Sequence, residues 1–426
     1  MTLAWPSDVA RPAAQGEVWG RRMVLGLCVA IVLTFSQGWE VPLTGPNGDP
    51  EASGLIRTLF FPGYGAALIL ALAAPWTTLK AAARQPLIWL LVGYAFTSTL
   101  WSVDPDTTVR RSIALLFTTL AALVLSARYD WPEMLEVLAT AYAVVVVCCF
   151  FLGLFVPSYG RMTKIFPGAW SGVWRDKNAL GDNMAMIFII FSATAILNPQ
   201  RRLRWVLFAL SAVVLILLST SKTSLATVVI GSGSLAFVWL VKRGGAISVA
   251  AVFAGVAALL ALALAIIFAS DVFFALLGKD ATFTGRTSIW SAVLRLIDKR
   301  PWTGYGYAAI WTDETGWGPL AWIIKWSKFR PHHAHNSWLE TWLALGIPGL
   351  VLWATLFLET WGRGLWAVFT RGCGYFALPF LAVYSLTIMT ESVAFIYNDQ
   401  LWLIFAAMAF RLARPDGAVV RSARSP

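Results

Sequence analysis

His335-Asn336 is followed, nine residues on, by Gly346-Ile347-Pro348-Gly349. Imidazole is the one side chain that titrates near neutral pH unperturbed, so His335 is the first candidate for a general base. The chain holds only 3 histidines, and the other two, His332 and His333, lie just upstream. If that segment is helical, His332 and His335 share a face, with Asp313 or Glu314 as carboxylate partners for a metal. No HExxH or paired-cysteine pattern accompanies them, so neither a metal nor another cofactor is expected. The bland alternative is that these histidines merely solvate a loop end. His332 and His333 receive no role.

The elements that must position His335 are membrane helices. Of 426 residues, 58% are hydrophobic and 13% charged, with a mean hydropathy of +0.69. A soluble domain could not hide that much apolar surface, whereas repeated apolar runs read as transmembrane helices. The expected fold is all-α and polytopic, one membrane domain over residues 1–426 with twelve spans. These centre on 23–39, 55–76, 87–102, 112–127, 134–157, 179–197, 205–219, 223–241, 247–270, 338–360, 374–396 and 400–412. A polar stretch 1–22 precedes the first span and does not read as a signal peptide. Cys28, Cys148, Cys149 and Cys373 offer neither a disulfide framework nor metal spacing and read as packing residues.

Lys and Arg in short loops orient the chain. With the N-terminus inside, the inner segments hold 17 of them and the short outer loops seven. Both termini, including the basic tail 411–426, are therefore expected in the cytoplasm, and the loop 271–336 with His335 outside. Four of the seven outer cations, Arg161, Lys164, Arg175 and Lys177, cluster in 158–178, which suggests an anionic partner there. Lys222 stands in a hydroxyl-rich turn, Ser219–Ser224, between two short spans, where it meets lipid phosphates or simply snorkels.

Residues 286–300 have the spacing of an amphipathic helix with Ile289, Trp290, Val293, Leu294 and Ile297 on one face and Thr284 as N-cap. Arg286 then occupies the first turn, where the helix dipole disfavours a cation unless an anion binds there. Eight tryptophans lie in 271–342, most of them expected as interfacial anchors. Gly304-Tyr305-Gly306 lacks the strand–helix setting of a nucleotide fingerprint. Glu391 falls within the eleventh span, where an ionisable group needs a partner.

The run His335-Asn336, nine residues, Gly346, two residues, Gly349 resembles the signature of the bacterial O-antigen ligase and repeat-unit polymerase family. The span layout, the loop before span 10 and Gly285-Arg286-Thr287-Ser288-Ile289-Trp290 fit that family as well. Trp174-Arg175-Asp176-Lys177-Asn178-Ala179-Leu180-Gly181 looks more like its exopolysaccharide polymerases than its lipopolysaccharide ligases. Lys222 stands where family ligases often carry arginine; it keeps the charge and loses the bidentate fork.

The resemblance implies an inner-membrane glycosyltransferase with a periplasmic site. Its donor would be a glycan on undecaprenyl pyrophosphate, and its acceptor a sugar hydroxyl on a glycan or on lipid A-core. His335 would be the base, and Arg286 and Lys222 would stabilise the leaving pyrophosphate. Arg175, Lys177, Asn178, Asn336 and Glu391 would contact substrate. Membrane lipids would be its other partners, with no nucleic acid. Repeat-unit polymerase, O-antigen ligase and, from another class, a transporter or flippase of lipid-linked sugars all remain open at this point.

Overall fold

The computed structural model describes residues 15–45, 54–163, 166–268, 286–312 and 316–414. Lys164, Lys279, Thr284, Gly285, Asp313 and Glu314 lie outside them. Among the described residues there is no strand, only one isolated bridge between Arg161 and Trp170.

Acidic and amide caps start the longer helices. Asp104 accepts from Thr107 N at 3.0 Å at the head of the helix Pro105–Arg128, and Asp130 forms a capping box with Glu133 at the head of Trp131–Phe155. In order, the main helices are α1 (Gln15–Phe35), α2 (Phe61–Leu72), α3 (Pro75–Ala83), α4 (Pro86–Thr97), α5 (Pro105–Arg128), α6 (Trp131–Phe155), α7 (Lys177–Leu197) and α8 (Arg202–Ser219). There follow α9 (Lys222–Val241), α10 (Gly245–Phe268), α11 (Arg286–Lys299), α12 (Pro319–Ser327), α13 (Ser337–Thr370), α14 (Gly374–Thr390) and α15 (Gln400–Leu412).

Helices occupy all twelve expected places, but length and composition support fewer crossings. Among the described residues, six are long and apolar enough to cross a bilayer, or seven if 56–72 and 75–83, bent by 98°, form one broken span. The segments in 86–101, 245–261, 374–390 and 400–412 are shorter. Large apolar side chains such as Val229 (70% exposed) and Phe253 (72%) face outward, as lipid-facing positions should. Every residue of α15 is buried; Trp353 packs against its Trp402 and Phe405, and Tyr384 stacks on Phe405. Cys28, Cys149 and Cys373 are buried as expected, whereas Cys148 is exposed.

Helix α13 holds 34 residues, about 51 Å at 1.5 Å per residue, too long for a hydrocarbon core of about 30 Å. It breaks at Gly346, whose φ of 66° and ψ of −169° are not helical. The turn 301–306 lies against the break. Tyr305 N donates to Leu343 O at 3.1 Å, Gly306 N to Ala344 O at 2.9 Å and Ile347 N to Pro301 O at 2.9 Å. Gly304-Tyr305-Gly306 thus serves packing. A Cβ on Gly304 would lie 2.6 Å from the Ala344 carbonyl, and one on Gly306 2.2 Å from Ser102 Oγ. Trp101 Nε1 and Ser98 Oγ, at the end of α4, complete the dock through Thr303 O and Tyr307 N.

Above that dock, α11 and α12 form a small second core with the head of α13. The apolar face of α11 differs from expectation: Ile289, Ala292, Val293, Leu296 and Ile297 are buried, while Leu294 is 42% exposed. The helix is rotated so that Trp290 reaches sideways and donates its indole N–H to Ala334 O at 2.9 Å. The tryptophans divide accordingly. Trp290, Trp311 and Trp342 hydrogen-bond within the protein, whereas Trp302 and Trp317 are 66% and 79% exposed.

A methyl group at position 346 would sit 2.1 Å from Trp302 O in a left-handed backbone. Gly346→Ala should therefore destabilise the purified protein by about 1–3 kcal/mol, read as a lower thermal unfolding midpoint. Gly233→Ala, in open space with ordinary backbone, is the control and should leave the midpoint unchanged or slightly raised. Equal midpoints for the two variants would show that the break does not depend on glycine.

Candidate active site

Glu391 was expected inside a span, yet α14 stops at Thr390. Glu391 follows it in extended conformation (φ −139°, ψ 157°) after its N–H closes the last helical bond to Thr387 O. That exit turns its carboxylate toward the loop. Oε1 lies 2.6 Å from Arg286 Nη2, and Oε2 lies 2.9 Å from His335 Nδ1. Arg286 also donates through Nη1 to Thr390 O at 2.5 Å. One carboxylate therefore bridges the guanidinium at the head of α11 and the imidazole before α13.

His335 itself adopts a left-handed backbone, φ 52°, sparsely populated by non-glycine residues. Asn336 explains how the chain proceeds from there. Its Oδ1 caps α13 by accepting from Trp338 N at 3.0 Å and Leu339 N at 3.1 Å. The Asn336 side chain thus caps α13 and fixes the chain just after His335.

Burial raises the Glu391 pKa, but the His335 hydrogen bond and the Arg286 charge outweigh it and hold the carboxyl below its ordinary 4.5. An ionised Glu391 can only accept, so the 2.9 Å contact has His335 Nδ1 as donor and leaves Nε2 as the nitrogen directed away from Glu391. His333, given no role by the sequence, packs on His335 with ring centroids 3.9 Å apart. Burial, then the neighbouring His335, bring its pKa down to about 4, so it is neutral near pH 7 and its Nδ1 accepts the His335 backbone N–H at 3.2 Å.

A metal reading changes membership here. The segment before α13 is not helical, and His333 rather than His332 joins His335. His333, His335 and Glu391 can bring donor atoms within 4.8 Å of one another. Two features oppose a cation at that point: Arg286 already holds the carboxylate, and His333 Nδ1 already accepts a backbone proton.

Lys177, Asn178 and Lys222 form a second cluster. Asp176 caps α7, accepting from Asn178 N and Ala179 N. This presents Lys177 and Asn178 to the α8–α9 turn. Lys177 Nζ lies 3.4 Å from Thr220 Oγ1 and 3.9 Å from the Phe166 ring centroid, while Asn178 Oδ1 accepts from Ser221 Oγ at 3.3 Å. Exposed Lys222 begins α9 beside them. Gly181 permits the approach, since a Cβ there would meet Ser224 Oγ at 2.3 Å. Arg175 turns away to Thr44 Oγ1 at 3.2 Å; burial pushes the nearby Glu40 carboxyl up to about 7, tempered by the Arg175 charge.

Sequence reasoning thus named Arg286, His335, Asn336 and Glu391 without their common centre, and missed Ser392 and Glu340, which adjoin it. An acid inside an apolar run, the signal that flagged Glu391, was present at Glu340 as well.

Residues 206–354, which include Lys222, Arg286, His335 and both glycines of the sequence pattern, match the model of the family described as O-antigen ligase. The chain is also 27% identical over 281 residues to the exopolysaccharide production protein ExoQ of Rhizobium meliloti (strain 1021), a match covering 63% of this chain. It spans 62% of that relative's own length. The segment that carries His335 and Arg286 is therefore similar to the O-antigen ligase family, and the chain as a whole resembles an exopolysaccharide production protein.

Proposed function

We propose that this protein transfers a glycan from undecaprenyl pyrophosphate to a sugar hydroxyl at the periplasmic face of the inner membrane, as a repeat-unit polymerase. The observation that carries the reading is the Arg286–Glu391–His335 relay, with spacings of 2.6 and 2.9 Å, inside the family segment. The similarity to an exopolysaccharide production protein favours an exopolysaccharide product.

In this reading the acceptor O–H gives its proton to His335 Nε2 as its oxygen attacks the anomeric carbon of the donor. The bond from that carbon to the phosphate oxygen breaks, and the pyrophosphate leaves as an anion. Glu391 holds the ring and stabilises the imidazolium as it forms. Arg286 and Lys222 supply the positive charge that the leaving group needs, so no metal is required. Lys177 and Asn178, grouped with Lys222 at one turn, extend that cationic strip toward the lipid phosphates. Both termini then lie in the cytoplasm, as the 17-to-seven bias of Lys and Arg implies. A ligase acting on lipid A-core is the second reading, favoured by the family description.

Purified protein in liposomes, given the lipid-linked repeat unit alone, should build a ladder of longer glycans, and EDTA should leave the ladder intact. Product only after lipid A-core is added would replace polymerase by ligase. Zinc rescue of a chelated sample would restore the metal reading.

His335→Ala should lower turnover by about 10²–10⁴-fold at normal membrane levels; near-normal turnover would remove the base. Lys222→Arg should retain more turnover than Lys222→Ala, because a second cation restores the charge; equal losses would leave Lys222 a packing residue.

Glu391 makes a stability prediction with a definite sign. Its folded pKa lies below the ordinary 4.5, so its stabilisation is complete above that pH and disappears as pH falls through the depressed value. Unfolding midpoints of wild type and Glu391→Gln should differ most at neutral pH and converge in acid. A constant gap across that range would place the contribution elsewhere.

A further inference from the structure

Glu340 lies one turn into α13, and its carboxylate is bonded to the residue before His335 and to the residue after Glu391. Oε2 accepts the Ala334 N–H at 2.8 Å and the Ser392 hydroxyl at 3.1 Å. Ser392 Oγ in turn accepts the Asn336 N–H at 3.3 Å. Oε1 accepts the indole N–H of Trp311. His335, in its left-handed backbone, is therefore clamped at the residue before it directly and at the residue after it through Ser392. Ser392 also follows Glu391. One carboxylate thereby ties together the two chain segments whose side chains form the 2.9 Å pair.

We propose that Glu340 is the positioning residue that sets the His335–Glu391 geometry. The chemistry at this place demands a carboxylate. Three donors point at it, and a carboxylate is acceptor-only, whereas glutamine would turn an N–H₂ toward an N–H or an O–H. Ser392 has a single proton; giving it to Glu340 leaves its lone pairs for Asn336 N–H and fixes the direction of the whole chain of bonds. A left-handed histidine stays in place only where its surroundings over-determine it, and these bonds do so. Loss of the clamp lets residues 334–336 relax, lengthening the His335–Glu391 contact and releasing the ring to either tautomer.

The test uses Glu340→Gln, with Ser392→Ala as the milder variant that carries the same test if Glu340→Gln does not fold. Two readouts are taken on full-length purified protein. The first is turnover of the undecaprenyl-pyrophosphate-linked repeat unit in liposomes, which rests on the proposed function. Here kcat should fall by up to about 10²-fold, the scale of an ångström of misplacement, with KM for the donor within about twofold. Ser392→Ala should lose less and add little in the Glu340→Gln background, because both act through one set of bonds.

The second readout is the pair of ¹⁵N shifts of His335 in histidine-labelled protein, assigned against His335→Ala. Wild type should show a proton fixed on Nδ1, and both variants a mixture of tautomers. That measurement stands even if wild type transfers no glycan, an outcome that would sink the functional reading alone. Unchanged nitrogen shifts in a folded Glu340→Gln would overturn the positioning role. A raised KM with kcat intact would instead make Glu340 a substrate contact.

Discussion

Backbone polar groups cannot be left open where a helix meets hydrocarbon, and the break at Gly346 is where this molecule confronts that constraint. Interrupting α13 frees the carbonyls of Leu343 and Ala344 and the N–H of Ile347, and the turn 301–306 satisfies all three. The large loop is therefore bonded into the bundle rather than laid on top of it. Only a residue without a side chain can stand at the crossing, because the Trp302 carbonyl occupies the space. Everything above it, the small core under α11 and α12 and the approach to His335, takes its position from that junction.

The same logic explains the carboxylate at the centre of the site. Glu391 is placed where α14 has ended, so it is reached from two directions by groups that belong to different elements. Arg286 comes from the head of a loop helix and His335 from the residue before a membrane helix. An isolated charge there would be expensive; shared between a guanidinium and an imidazole it is held ionised. The cations around Lys222 have a different character. They sit at an exposed turn among hydroxyls and an aromatic ring.

Much of this was legible in the sequence, and the reasons are specific. Apolar runs locate helices because a bilayer leaves few alternatives, and all twelve places hold one. Their lengths were harder to read, since α2 and α3 bend by 98° and α15 is only 13 residues long within the protein core. His335 stood out by scarcity and Arg286 by an unfavourable place in its helix. Glu391 was legible as a charge in need of a partner, with a cation or the acceptor as candidates. Its joining of Arg286 to His335 was not, because it links residues 105 and 56 apart in the chain. The rotation of α11 was missed for a similar reason: Trp290 finds a carbonyl at Ala334, and no periodicity anticipates a single bond of that kind. Gly304 and Gly306 resembled nothing known in nucleotide binding, and only the break they fill explains them.

Helix α15 has a consequence for how the protein sits among lipids. Thirteen residues rise about 20 Å, roughly two thirds of a hydrocarbon core. A helix that short would ordinarily pinch the bilayer or tilt its neighbours. Here protein sheathes it on every side, so hydrophobic mismatch never acts on it. The segment that descends to it, from Glu391 to Asp399, is thereby insulated from changes in membrane thickness, and a carboxylate at its upper end can keep one geometry in bilayers of different acyl length.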